Sequence, residues 1–180
     1  MGRAGDRIDD ATAAWIQRQR LFFVGTAPTS DGRVNVSPKG LDSLRVLSPT
    51  EVAYLDLTGS GAETIAHLRD NGRITFMFCA FSGPPRIVRL YGQGVAIRPD
   101  DDAYGELAAL FPERRAVRSI VRVVIDRVQD ACGYAVPEME FVADRTKLDR
   151  WASNRTDAEI ADYWRDKNAV SIDGLPALED

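Results

Sequence analysis

A small antiparallel β-barrel with helical additions is the fold class this sequence predicts, and three observations predict it. Six to eight strand-like runs follow one another with turns between them. Only one short helix interrupts the early strands, and the long run 86–98 carries two glycines in its middle. Strands joined by turns rather than by crossover helices pair antiparallel, and mid-strand glycines let a sheet bend and curl.

The elements follow in order. Asp9 or Asp10 caps a helix over about 9–20, with Trp15 and Ile16 on its buried side. LFFVGTA (21–27) and RVNVSPK (33–39) flank PTSDG, where Asp31-Gly32 supplies the positive φ of a hairpin turn. LRVLS (44–48) and EVAYLDL (51–57) surround a second turn at Pro49-Thr50. A short helix over 62–70 ends at Asn71-Gly72, and RITFMFCA (73–80) resumes as strand. RIVRLYGQGVAIR (86–98) bends at Gly92 and Gly94. DDAYGELAALF (101–111) reads as a capped helix, VRSIVRVVIDRVQDA (117–131) as a strand, and EMEFVAD (138–144) as the last strand. From Thr146 on, Trp151, Ile160, Tyr163 and Trp164 recur at helical spacing.

At 180 residues and 44% hydrophobic, the chain fits one domain over 1–180. The barrel covers about 21–144, preceded by the N-terminal helix and followed by a helical segment over 146–180. A net charge of −4 argues against nucleic acid as a partner. No run approaches the ~18 apolar residues of a membrane span. The N-terminus lacks the apolar core of a signal peptide, and Gly2 lacks the downstream Ser or Thr of a myristoylation signal. A cytoplasmic protein with no membrane partner is expected. The two cysteines, Cys79 and Cys132, form no C-x-x-C pair, so no zinc or redox motif is expected, and Cys79 reads as a small core residue. His67 is the one histidine, so no metal pair exists; it is assigned to the solvent-facing or helix-packing side.

The stretch AYLDLTGSGAETIAHLRDNGR (53–73) carries the chemistry. An apolar run empties into Thr58-Gly59-Ser60-Gly61 and a helix starts at once, which leaves free N–H groups where an anion can sit. Ser60 is expected to cap that helix, Thr64 to place its hydroxyl beside the same anion, and Ile65 and Leu68 to face the core. Gly59-x-Gly61-x-x-Thr64 is not a dinucleotide fingerprint, because the helix is two turns long and hairpins flank it. Lys39 also stands out. Only three of the 23 basic residues are lysines, and Lys39 is the single lysine before position 147.

Taken together, LFFVGTAPTSDGRVNVSPKGLD, EVAYLDLTGSGAETIAHLRDNGRITFMF and PPRIVRLYGQGVAI resemble the FMN-binding split-barrel family related to pyridoxamine 5'-phosphate oxidase. The resemblance runs from about Leu21 to Phe141. It implies a six-stranded antiparallel split barrel, a homodimer, and FMN in a cleft shared by two subunits, with hydride chemistry on a small organic substrate. It carries the phosphate-facing helix start onto Ser60, Gly61 and Thr64, the flavin-lining strand onto Ser37, Pro38 and Lys39, and a later strand's polar group onto Arg86. Two departures stand out. Glu63 and Thr64 occupy the helix start where the oxidases carry a basic pair, so the phosphate charge falls to Lys39, Arg45, Arg86 or a partner arginine. No Arg-x-His substrate segment exists, so pyridoxamine phosphate oxidation itself is not implied. A deazaflavin-dependent reductase of the same fold, or a non-catalytic flavin or haem carrier, are the alternatives, with no catalytic side chain assigned and no metal expected.

Overall fold

The computed structural model describes residues 4–178; Gly2, and Glu179 and Asp180 of the expected C-terminal segment, lie outside them. Within that range the strands are β1 (Ala4–Gly5), β2 (Phe22–Thr26), β3 (Asn35–Lys39), β4 (Leu44–Ser48), β5 (Glu51–Leu57), β6 (Arg73–Cys79), β7 (Ile87–Ile97) and β8 (Val117–Ala131). The helices are α1 (Asp10–Gln17), α2 (Glu63–Asn71), α3 (Tyr104–Ala108), α4 (Lys147–Ser153) and α5 (Asp157–Lys167).

The strands make one antiparallel sheet in the order β3-β2-β6-β7-β8-β5-β4, with β1 added to β8. Contacts across the interior show how far it curls. Phe22 on β2 and Tyr54 on β5 are separated by three strands in the hydrogen-bonded order, yet their rings meet edge-on at 5.9 Å. Phe76 and Phe78 of β6 join them, and this aromatic group fills the middle of the core with Val24, Leu90 and Val123. Burying several aromatic side chains together supplies a large share of the apolar stabilisation. β5 is buried on both faces: Tyr54 points to the interior, while Ala53 and Leu55 sit in a second cluster with Ile120, Leu107 and Phe111 that α3 covers. Gly92 marks the bend of β7, where the register against β8 shifts. A Cβ there would stand 2.0 Å from the Val124 carbonyl oxygen, so only glycine allows the two strands to approach this closely.

α1 starts at Asp9, whose carboxylate accepts the Thr12 N–H at 2.6 Å, and buries Ile16. α2 ends at Gly72, whose φ of 73° is the left-handed cap expected of Asn-Gly. Ile65 and Leu68 are buried, as is Cys79. In the C-terminal segment α5 carries a full capping box, Thr156 with Glu159.

Four expectations are corrected. The strands among the described residues number eight, against the six that the resemblance implies: seven fall on runs read from the sequence, and β1, paired with β8, is the eighth. Residues 138–144 form no strand: the segment lies outside the sheet, the Met139 N–H goes to the Phe81 carbonyl and Arg20 lies over the Phe141 ring at 5.1 Å. Gly32 has no positive φ; the Arg33 N–H is held instead by Asp173 at 2.6 Å. The helix expected over 101–111 is the single turn and a half of α3. Among the described residues no helix is long and apolar enough to cross a membrane.

Candidate functional site

The curled sheet leaves a cleft where its two ends face each other. It has a volume of about 460 Å³ and is walled by the segments 35–43 and 55–64, with Arg118 of β8 and Leu148 of α4. That volume falls within the range of small-molecule sites. Ser37, Pro38 and Lys39 of β3 and Ser60, Gly61 and Thr64 at the start of α2 all line it. Two stretches more than twenty residues apart in sequence therefore meet at one place.

Arg86 does not. Its guanidinium bonds Asp130 at 2.6 Å and Thr12 at 3.0 Å and lies over the Trp15 ring, so it fastens α1 to the sheet and stays out of the cleft. Arg45 is likewise engaged elsewhere, on the Asp42 carboxylate and the Leu110 carbonyl.

An ion cluster forms the cleft floor. Asp56 is fully buried and accepts from Lys39 Nζ at 3.1 Å, from Arg118 Nε at 3.0 Å and from Arg118 Nη2 at 3.2 Å. A buried carboxylate without such partners would be prohibitively costly. Arg118 Nη1 also donates to the Gly61 carbonyl at 2.7 Å and to Asn168 Oδ1 at 3.0 Å. Four of the five guanidinium N–H groups are thus engaged. Lys39, with three donors, gives one of them to Asp56, and its side chain stays 17% exposed to the cleft. Of the two cations lining the cleft, Lys39 is the one with donors to offer.

Asn35, which sequence reasoning passed over, sets the hydroxyls. Its Nδ2 donates to Thr64 Oγ1 and to Thr26 Oγ1, both at 3.1 Å, and its Oδ1 accepts from Ser37 Oγ at 3.1 Å. Thr64 therefore receives a hydrogen bond from behind and keeps its own proton to donate. Asn35, Ser37 and Lys39 alternate along β3 on the half-buried face, while Val34 and Val36 point out.

The expectation that Ser60 caps α2 is corrected. The residue at the cap is Ala62, which has no side-chain bond to offer, and Ser60 is exposed on the loop before it. His67 is fully buried on α2, its Nδ1 3.0 Å from Thr26 Oγ1, and it does not line the cleft; the solvent-facing option falls and the helix-packing one stands. The Tyr54 hydroxyl is buried beside Thr64 without a well-formed hydrogen bond. Burial first, and the Asp56 charge second, hold its phenol well above the ordinary tyrosine value, so it stays protonated. The signal for Arg118 was present in the sequence: Asp56 is the one charge inside the apolar run VAYLDL, and a buried acid demands a buried cation.

The comparisons with known proteins bear on this arrangement. A family model described as pyridoxamine 5'-phosphate oxidase matches residues 8–132. The chain belongs to the pyridoxamine 5'-phosphate oxidase family. A fungal relative, the pyridoxamine 5'-phosphate oxidase family protein ustO of Aspergillus flavus, is 41% identical over 196 residues, which cover 96% of this chain and 76% of that protein. Among solved structures, a Lactobacillus delbrueckii protein provisionally assigned as a pyridoxamine 5'-phosphate oxidase superposes with a TM-score of 0.55 at 20% identity, covering 69% of this chain and 94% of that one. HupZ of Group A Streptococcus superposes with a TM-score of 0.52 at 19% identity, covering 67% of this chain and 91% of that one. These superpositions show a shared split-barrel fold. The family match stops at residue 132, whereas Leu148 and Asn168, which reach the cleft or its loop, lie beyond it.

Proposed function

We propose that this family member binds FMN in the cleft and acts as an oxidoreductase on a small organic substrate. The carrying observation is that the two stretches expected to face a flavin, Ser37–Lys39 and Ser60–Thr64, line one cleft of about 460 Å³. The residues fit the group. Thr64 keeps a hydroxyl proton to donate, Ser60 is exposed beside it, the first N–H groups of α2 lack a side-chain cap, and Lys39 offers an ammonium with unused donors. Leu41, Leu55, Leu57 and Leu148 add apolar surface suited to a ring. A bound flavin would supply hydride acceptance and return, and no side chain here needs to act as a nucleophile. The chain's own residues would seat the phosphate at the start of α2 and set Lys39 by a phosphate oxygen or the ring's carbonyl edge. The Glu63 carboxylate, which accepts the Ile172 N–H at 2.9 Å, stands where the basic pair of the oxidases would be, which leaves the phosphate charge to Lys39 and the α2 N–H groups. The absence of an Arg-x-His segment argues for a substrate other than pyridoxamine phosphate.

The same reading includes a homodimer in the cytoplasm, with the cleft at the subunit interface. The exposed apolar side chains Val34, Val36, Val95 and Val124 on the outer face of the sheet support it. Light scattering that returned a single chain of 19.9 kDa at micromolar concentration would remove the dimer. The absorbance spectrum of the purified protein tests the cofactor: flavin bands released as FMN on denaturation are expected. A protein that stays colourless and takes up no added FMN would end the flavin reading. A Soret band would replace it with a haem carrier.

A further inference from the structure

The loop Gly59–Gly61 is held by side chains that reach it from elsewhere in the chain. Asn168 Nδ2 donates to the Gly59 carbonyl at 3.2 Å, and Arg118 Nη1 donates to the Gly61 carbonyl at 2.7 Å. Asn168 Oδ1 in turn accepts from Arg118 at 3.0 Å. A guanidinium only donates and a carbonyl only accepts, so the Asn168 amide has a single workable orientation. Asn168 is fully buried just after α5, where its N–H bonds the Trp164 carbonyl at 2.8 Å. Trp164 fixes the same loop one residue earlier, through Nε1 to Thr58 Oγ1 at 2.8 Å.

Peptide geometry turns these tethers into a statement about donors. No peptide bond here is cis, and a trans peptide sets its N–H opposite its C=O. With the Gly59 and Gly61 carbonyls drawn toward Asn168 and Arg118, the N–H groups of Ser60 and Ala62 face away from them. The N–H groups of Glu63 and Thr64 follow in the first turn of α2, where no intrahelical acceptor exists for them. Successive backbone N–H groups of this kind form a concave seat for an anion, and Ser60, Gly61, Glu63 and Thr64 line the cleft.

We infer that Asn168, which lies outside the segment matched by the family model, is a positioning residue for an anionic group at this loop. It acts by turning the loop's N–H groups and does not itself touch the ligand. The segment after β8 is then part of the site: the barrel supplies Lys39 and Thr64, and the end of α5 sets the backbone seat between them. This inference rests on the flavin reading above and deepens it, assigning the phosphate to the loop and its orientation to Asn168.

FMN and riboflavin share a ring and differ by the phosphate, so titrating both, by quenching of flavin fluorescence, separates positioning from general damage. In Asn168→Ala the FMN affinity is expected to fall about tenfold, the equivalent of one well-placed charge-assisted hydrogen bond, with riboflavin affinity unchanged. Asn168→Asp keeps the size and the acceptor for Arg118 but loses the donor to Gly59. It serves if the alanine variant does not melt cooperatively, and the same selective loss is expected of it. An equal loss for both flavins, or no loss for FMN, overturns the inference. So does a parent chain that binds FMN and riboflavin equally well, which leaves the flavin reading standing and moves the phosphate off the loop. A parent chain that binds neither flavin sinks the flavin reading, and the inference with it.

Discussion

Two arginine–aspartate pairs in this chain are bonded alike and differ in burial and in what else each arginine holds. Arg118 and Asp56 lie beneath the cleft, with side chains 4% and 0% exposed; Arg86 and Asp130 lie at the foot of α1, with side chains 25% and 34% exposed. Both arginines sit on or beside strands rich in valine and isoleucine, and both bond their carboxylate through Nε and a terminal nitrogen. The difference is what else each one holds. Arg118 also fixes a loop carbonyl and the Asn168 amide, while Arg86 adds only the Thr12 hydroxyl and the face of Trp15. A guanidinium in a low-dielectric setting with nearly all donors engaged organises a site; one at the rim fastens two elements together. The cleft belongs to the pair that the sequence reading did not select.

That contrast can be broken most forcefully at Asp56. Asp56→Ala leaves Arg118 and Lys39 facing each other without their shared carboxylate, and a loss of about 3–5 kcal/mol in denaturant unfolding is expected from stranding buried charge. Asp130→Ala, removing a partly exposed partner, should cost about 1 kcal/mol or less. Comparable losses in the two variants would erase the distinction drawn between the pairs.

Lys39→Met comes next, and its effect should fall on the ligand. Asp56 keeps Arg118, so unfolding should change little, while FMN affinity drops by about tenfold or more as one charge-assisted contact disappears. Even Lys39→Arg should weaken FMN binding or slow flavin reduction, because a planar fork does not fit where a compact ammonium does. If Lys39→Met bound FMN like the parent, the cleft's available cation would have been misidentified.

Thr64→Ala should weaken FMN by about 1–2 kcal/mol through the lost hydroxyl donor. Arg86→Ala sharpens the comparison from the other side. It should lower stability by about 1 kcal/mol by loosening α1 and leave flavin affinity alone. A loss of flavin binding there would bring Arg86 back to the site, by way of a second subunit. The smallest effect concerns pH. The Arg33 N–H, followed by the Arg33 side chain, holds the Asp173 carboxyl below its ordinary value. A lowered carboxyl stabilises the folded state above its unfolded pKa, and that contribution disappears as pH falls through the folded value. Asp173→Asn should therefore lower stability slightly near neutrality, flatten the acid limb below about pH 4, and leave stability at the most acidic end unchanged.

Much of this was legible before any coordinates. β4, β5 and β8 lie where alternation and turn residues put them, and Asn71-Gly72 ends α2 as a left-handed cap must. Lys39, Ser60 and Thr64 stood out because hydroxyls at a helix start and a lone lysine are local signals, and Ser37 because the family resemblance carries the flavin-lining strand onto it; all four line the cleft. The misses share one cause. Ser60 reads as a cap because serine caps helices, but the chain runs through two more residues before α2 begins at Glu63. EMEFVAD reads as a strand, but alternation becomes a strand only where the fold brings the segment to a sheet edge, and here its Met139 N–H goes to the Phe81 carbonyl instead.

The sequence by itself determined the order of elements, the antiparallel sheet, the bends at glycine and the chemistry stored in residues 37–39 and 58–64, because periodicity and backbone preference act over a few residues. Only the tertiary structure decided which charges meet. Asp56 and Arg118 are 62 residues apart, and Asn168 lies 109 residues beyond Gly59. Those pairings follow from the curl of the sheet and the path of the C-terminal helices over it. The curl is a sum of small strand twists and one close approach at Gly92, and the path is set by packing; no local stretch of sequence encodes either.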